Sequence, residues 1–180
     1  MTPQQTKPAQ DRNAAIARLF ETTFTASEGP EEGVLIGTLV RSLMDTTDPD
    51  ELHVFYVEDE GFVGACILTR LRHDGETGIA YLLSPVAVAP ERQGQGIGQR
   101  MISEALEALR AAGVEAVVTY GDPAFYSRVG FSPVTVDEVA APFALSQPEG
   151  WLAQSLTGQP LTPRKGRARC APALSDPAYW

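Results

Sequence analysis

Gln93-Gly94-Gln95-Gly96-Ile97-Gly98 is the stretch that decides the fold. Before it runs a strand-like apolar segment, Ile79 to Val88, which Pro90 ends; after it, Ile102, Ala105, Leu106 and Leu109 recur on one helical face until Gly113 stops the helix. Glycines at a strand-to-helix junction let a ligand approach the backbone closely, because no β-carbon stands in the way. The first N–H groups of the helix have no partner inside it, and the helix dipole places partial positive charge at that end. Such a turn suits an anion of the pyrophosphate kind. Arg92 and Arg100 add charge on either side. Spacing excludes two other phosphate-binding patterns. A P-loop needs Lys-Ser/Thr directly after its last glycine, where Gln99-Arg100 stands. A dinucleotide fingerprint needs glycines at relative positions 1, 3 and 6, and the sixth is Gln99 or Met101 depending on the start.

Upstream, the period changes twice. Ile16, Leu19, Phe20 and Phe24 recur at helical spacing behind Asp11 or Asn13 as cap, and Val34, Leu35, Leu39, Val40, Leu43 and Met44 form a second helix after Gly29-Pro30. From His53 the pattern is that of strands: His53 to Val57, an acidic turn at Glu58 to Gly61, then Phe62 to Leu68, a β-hairpin. Pro85 inside the following strand cannot donate to a ladder, so pairing should splay there. Downstream, Ala116 to Tyr120 reads as a strand. Asp122-Pro123 reads as N-cap and first position of a short helix through Phe125, Tyr126 and Val129, closed by Gly130. Phe131 to Val136 is one more strand. The last forty residues hold six of the 14 prolines, so irregular strands and loops are expected there, Arg167 to Cys170 being the best strand.

At 180 residues the chain fits one domain. Its 43% hydrophobic and 21% charged content is that of a soluble globular protein, and no stretch approaches the roughly 20 apolar residues of a membrane span. Residues 1–11 are polar, without the apolar core of a signal peptide, and the only cysteines are Cys66 and Cys170, read as small buried hydrophobes; a cytoplasmic location and no metal site are expected. The net charge of −9 argues against nucleic acid as a partner. Acids concentrate early, at Glu28, Glu31, Glu32, Asp45, Asp48, Asp50 and Glu51. The basic cluster Arg164, Lys165, Arg167 and Arg169 reads as a solvated strand edge rather than a phosphate patch.

Gln93-x-x-Gly96-x-Gly98, preceded by Val86-Ala-Val-Ala-Pro-Glu-Arg92, closely resembles the acetyl-CoA motif of the GCN5-related N-acetyltransferase (GNAT) superfamily. Gly121-Asp-Pro-Ala-Phe-Tyr-Ser-Arg-Val-Gly-Phe131 resembles the family's second segment in the version seen in YhbS-like bacterial proteins, and both segments stand in the family's order. Two positions depart from the pattern: Val129 stands where Phe is common and Cys170 where an aromatic is expected. The resemblance implies an α/β (α+β) fold with a mixed central sheet splayed at Pro85 and flanked by helices. Residues 12–136 would be its core, residues 1–11 a disordered tail, and residues 137–180 a C-terminal extension packed on the same domain.

It further implies transfer of an acetyl group from acetyl-CoA to a primary amine of a small molecule, peptide or protein, by direct attack in a ternary complex. The alternative is an acyl-CoA sensor without catalysis. Val86, Ala87, Val88, Arg92, Gln93, Gly94, Gln95, Gly96, Ile97, Gly98, Gln99, Arg100 and Tyr126 would contact the cofactor. Backbone groups of Val86 and Val88 would pair with the pantetheine arm like an added strand, in the gap where the strand ending at Val88 leaves the strand ending at Tyr120. The Val88 N–H would face the developing oxyanion. Tyr126 would be the acid for the thiolate, since a phenol of pKa about 10 can protonate a thiolate whose acid lies near ~8.5. One residue away on the helical wheel, Phe125 would face the core. The general base stays open among Glu28, Glu32, Glu76 and Tyr81. His53, within a strand, and His73, in a turn, are set aside, and Ser84 lacks the histidine and the elbow of a nucleophile. Acidity over residues 20–52 favours a cationic acceptor. A homodimer is neither implied nor excluded.

Overall fold

The computed structural model describes residues 4–5 and 10–180, with side chains from residue 11 onward. The chain divides into two compact units, residues 1–68 with 85–105, and residues 69–84 with 106–180. Two strands and one helix continue from one unit into the other.

The first unit opens with β1 (Gln4–Gln5), paired antiparallel to β2 (Leu52–Glu58) at Gln4↔Tyr56. These two residues lie within the stretch expected to be a disordered tail, of which residues 1–3 and 6–9 lie outside the described residues. Helices α1 (Gln10–Glu28) and α2 (Pro30–Thr46) follow, joined through Gly29, whose φ of 99° only glycine adopts freely, with Pro30 at the first helical position of α2. The two helices pack on each other where Gly33 meets Thr25 and the Glu21 backbone, and Arg41 Nη2 reaches Glu21 Oε2 at 2.8 Å; Ile16, Ala17 and Phe20 of α1 and Ile36, Leu39, Val40 and Leu43 of α2 are buried. The expected hairpin is present as β2 and β3 (Phe62–His73), closed by Asp59 N–H donating to Gly61 O at 2.8 Å. Strand order here is β1-β2-β3-β4, where β4 spans Ala80–Val88; Ala89 N–H donates to Val63 O at 2.9 Å just beyond its end.

The second unit holds a mixed sheet. β4 and β5 (Ala116–Tyr120) run parallel over four pairs, Ala80↔Ala116 to Leu83↔Thr119, as expected for buried apolar strands. At the last pair the Thr119 hydroxyl donates to Leu83 O at 2.9 Å, taking up a carbonyl where the ladder stops, directly before Ser84-Pro85. On the far side of β5 lies β7 (Trp151–Ser155), antiparallel over five pairs, and beyond it β6 (Ser132–Pro133). The strand expected over Phe131–Val136 is thus only two residues long, because Pro133 has no N–H to donate and the chain then turns at Thr135. β7 was not foreseen. It sits in the proline-rich final forty residues, yet Trp151, Leu152 and Ala153 are buried, and Trp151 Nε1 donates to Val139 O at 2.8 Å.

The expected terminal strand is β8 (Ala168–Arg169), antiparallel to the end of β3 at Arg72↔Arg169 and His73↔Ala168. The basic cluster is not uniformly solvated. Arg164 is 3% exposed and donates to Gly78 O and to Glu115 Oε2, each at 3.2 Å, while Arg169 pairs with Asp74. Burial of a guanidinium requires such partners. Among the described residues no helix is long and apolar enough to cross a membrane.

Candidate functional site

The glycine turn lies wholly in the first unit and is built from β4 outward. Along β4 residues 80–83 are all buried; from Ser84 burial alternates, with Pro85 and Ala87 inside and Val86 and Val88 half-buried on the other face. This change from continuous to alternating burial marks where a strand covered on both faces becomes one covered on one. A 3₁₀ turn, Pro90–Arg92, carries the chain into the glycines. Gly94 and Gly96 have φ of 74° and 73°, the left-handed region, and a β-carbon on either would meet no protein atom within 4 Å. Conformation, not crowding, requires glycine there, and the approach to both is free of side chains.

Helix α3 (Ile97–Ala111) starts at once, its first backbone bond running from Arg100 N–H to Gly96 O at 3.1 Å. The N–H groups of residues 97–99 therefore have no acceptor within the helix and stand at its positive end. The end is held down by Gly64 of β3. A β-carbon there would come within 3.2 Å of Ile97 Cγ2 and 3.7 Å of Ala87 O, so the bare backbone is what admits Ile97, which is 3% exposed. A glycine inside an apolar strand signals such an approach, but its partner could not be read from sequence.

The side chains expected to bind the anion are partly committed within the turn. Gln93 Nε2 donates to Val88 O at 3.0 Å, bracketing the strand end to the turn. Arg92 Nη2 lies 2.8 Å from Asp59 Oδ2, and Arg92 Nε donates to Gln95 Oε1 at 3.4 Å. Asp59 had no sequence signal beyond being an exposed turn acid. Gln99 is half-buried and Arg100 exposed.

Tyr126 belongs to the second unit. Asp122 Oδ1 accepts from Ala124 N–H at 2.9 Å and Pro123 takes the first helical position, starting α4 (Pro123–Tyr126) as expected; Gly130, at φ 93°, closes the following turn. The Tyr126 ring is 8% exposed, edge-on to Phe125 and Phe131 at centroid distances of 5.0 and 5.7 Å. Gly121 makes room for it, since a β-carbon there would stand 2.7 Å from Tyr126 Cε2. The expected division of roles is corrected on one side: Phe125 is half-buried, and the more deeply buried ring is that of Tyr126.

The family model of the acetyltransferase (GNAT) domain matches residues 49–133, from the start of the hairpin through the glycine turn and the Tyr126 segment. Over 114 residues the chain is 39% identical to the uncharacterized N-acetyltransferase YjhQ of Escherichia coli, a match covering 61% of this chain and 62% of that protein. Over the hairpin, the glycine turn and the Tyr126 segment the chain is similar to the GNAT family. Among solved structures, the GNAT-family YhbS of Escherichia coli in complex with CoA shares 25% identity and a TM-score of 0.68 over 86% of this chain and 81% of that one. A GNAT acetyltransferase of Brucella melitensis in complex with acetyl-CoA shares 27% identity and a TM-score of 0.66 over 96% and 97%. The chain spans less than two thirds of the length of the curated relatives it matches, 62% and 45% for the first two.

Glu28 and Glu76 are exposed and Glu32 is half-exposed, the first and last in the first unit and Glu76 in the second. Tyr81 is 6% exposed, with the Arg70 guanidinium 5.8 Å from its ring centroid, a cation–π distance. His73 is not in a turn but ends β3; it is 4% exposed, and its Nε2 lies 2.9 Å from Ala140 O. Burial lowers its pKa, the Ala140 hydrogen bond opposes that, Arg164 adds to it and Glu76 opposes it. Burial likewise lowers that of His53. The Cys66 thiol is fully buried and pushed up to about 12, which removes it as a nucleophile at neutral pH.

Proposed function

We propose that this chain is an acetyl-CoA-dependent N-acetyltransferase acting on a primary amine. The observation that carries the reading is the pair of left-handed glycines, Gly94 and Gly96, at the open positive end of α3. That arrangement offers backbone N–H donors to a pyrophosphate at contact distance, with no side chain to displace. The fit extends to charge, because Arg92 and Arg100 flank the turn. The binding set is Val86, Ala87, Val88, Arg92, the stretch Gln93 to Gly98, Gln99, Arg100 and Tyr126.

Acetyl-CoA would supply an activated thioester; the chain's own groups position it and manage charge and protons. Backbone groups of Val86 and Val88 hold the pantetheine arm as a strand would. The Val88 N–H donates to the negative charge that develops on the thioester oxygen when the amine attacks. Gln93, by fixing Val88 O, holds the next peptide along, Val88–Ala89, in a set orientation at the end of the strand. Tyr126 donates its phenolic proton to the departing sulfur. Direct attack in a ternary complex needs no acyl-enzyme, in keeping with the burial of Cys66. The amine proton passes to a carboxylate or to water; Glu28, Glu32, Glu76 and Tyr81 are the groups to substitute. A cationic acceptor fits the acidic composition of residues 20–52.

Calorimetry with CoA, followed by a screen of small, peptidyl and polyamine acceptors for release of free thiol from acetyl-CoA, tests the reading. Binding with turnover supports it. Binding without turnover on any acceptor would leave an acyl-CoA sensor, and no binding would remove the function altogether.

A further inference from the structure

The β2–β3 turn is joined to the pyrophosphate turn at two points. One is backbone: Ala89 N–H to Val63 O at 2.9 Å. The other is the ion pair of Arg92 Nη2 with Asp59 Oδ2 at 2.8 Å. The hairpin end that presents Asp59 is itself tightly built. Asp59 N–H donates to Gly61 O at 2.8 Å, Glu60 adopts φ 54°, unusual for a non-glycine residue, and Gly61 has φ 129°. The carboxylate is therefore offered from a defined backbone.

We propose that Asp59 is a positioning residue for CoA, acting through Arg92; this rests on the CoA-binding reading of the turn. A guanidinium carries five N–H donors in a rigid plane, and an arginine on a surface turn otherwise samples many rotamers. Asp59 holds one edge of that plane and Gln95, within the turn itself, accepts from Nε at 3.4 Å. The remaining N–H groups are left to meet phosphate oxygens in one orientation, so less ordering has to occur on binding. The opposing effect is that Asp59 partly offsets the charge of Arg92. Its side chain is 44% exposed and that of Arg92 24%, so water and salt screen this offset. Positioning is therefore the larger effect.

The test compares Asp59→Asn, Asp59→Glu, Arg92→Ala and the double variant Asp59→Asn/Arg92→Ala. CoA affinity is read by calorimetry and the KM for acetyl-CoA and kcat by thiol release. Asp59→Asn should weaken CoA binding and raise KM about five- to tenfold, the scale of one charge-assisted hydrogen bond, with kcat unchanged. Asp59→Glu should recover part of the loss, and Asp59→Asn should have no further effect once Arg92 is alanine. Tighter or unaltered binding by Asp59→Asn, a fall in kcat without a rise in KM, or an equal loss in the Arg92→Ala background would each overturn the inference. Failure of the unaltered protein to bind CoA would overturn the functional reading, and this inference with it.

Discussion

The side-chain amide of Gln93 donates to the backbone carbonyl of Val88, 3.0 Å away and five residues back, and so closes a loop around Pro90–Arg92. In a phosphate-binding turn a glutamine invites the reading of a direct ligand; here its Nε2 is instead spent on the strand end. Gln93→Ala should therefore act through geometry. The lost hydrogen bond is solvent-exposed and worth about 1 kcal/mol, so the KM for acetyl-CoA should rise roughly fivefold. Gln93→Glu, which offers Val88 O no donor and adds a negative charge beside the turn, should be worse than alanine. Initial-rate measurements on the two variants check this; equal effects would mean that the charge at 93 does not face the anion.

Gly96 should be replaceable in the fold but not in the site. At φ 73° a valine is strained by about 1–2 kcal/mol, yet no protein atom lies within 4 Å of its β-carbon to clash. Gly158, at φ 76° and equally uncrowded, supplies a control with the same strain in the second unit. Both Gly96→Val and Gly158→Val should unfold at somewhat lower denaturant concentration. Only Gly96→Val should lose CoA binding, by about 100-fold or more, on the grounds that its side chain fills the approach to the backbone donors. Loss of affinity in both would point to general destabilisation instead.

Much of this architecture was legible in advance, and the failures have physical causes. The glycine turn, the hairpin, the Pro85 interruption and the Asp122-Pro123 helix start each depend on local rules: positive φ, period two, a missing N–H, a capping oxygen. β7 escaped because its five residues carry no alternation and lie between Pro148 and Gly158. Only pairing with β5 and β6 makes it a strand, and such pairing is non-local. Asp59 and Gly64 escaped for the same reason, since each acquires its role from a partner about thirty residues away in sequence, Arg92 and Ile97. Arg164 looked like part of a surface charge run until its acceptors, Gly78 O and Glu115, were seen.

Tyr126→Phe removes one oxygen and leaves the edge-on contacts with Phe125 and Phe131 in place. If the phenol protonates the leaving thiolate, kcat should fall about 100-fold while CoA affinity changes little. Rates with acetyl thioesters of more acidic thiols, whose thiolates leave without a proton, should recover. A variant that turns over at the unaltered rate would reduce Tyr126 to a packing residue.

Two glycines on α2 should respond unequally to alanine. A β-carbon at Gly33 would lie 1.9 Å from Thr25 Oγ1 and 2.7 Å from the backbone oxygen of Glu21. The hydroxyl can rotate away; the carbonyl cannot. The helices must then separate, at a cost of about 1–3 kcal/mol that exceeds the roughly 1 kcal/mol gained from alanine's helix propensity. At Gly37 the nearest atoms, both 3.0 Å away, are Glu21 Oε2, which can swing aside although its ion pair with Arg41 must shift, and Glu21 Cβ, which has to give only slightly, a cost that alanine's helix propensity of about 1 kcal/mol offsets. Gly37→Ala should be close to neutral. Urea unfolding of the two variants measures the contrast, and equal stabilities would show that α1 and α2 are not packed at the Gly33 crossing.

Acid should weaken the fold through His73. Its ring is 4% exposed, Nε2 lies against Ala140 O, and Nδ1 has no hydrogen-bond partner among the described residues. Burial, opposed by the Ala140 hydrogen bond and reinforced by the nearby Arg164, holds the folded-state pKa below the ordinary value. The unfolded chain takes up the proton near ~6.5, so it binds more protons than the folded chain below that pH. The stabilisation is therefore complete above about pH 6.5 and is lost as pH falls toward and through the depressed folded value. His53, lowered by burial as well, adds a slope of the same sign. Urea midpoints between pH 7.5 and pH 5 should decline in the unaltered protein and decline less in His73→Gln, in which the amide can still donate to Ala140 O but cannot titrate. A slope unchanged by that substitution would assign the acid sensitivity to other groups, with His53→Gln the next variant to measure.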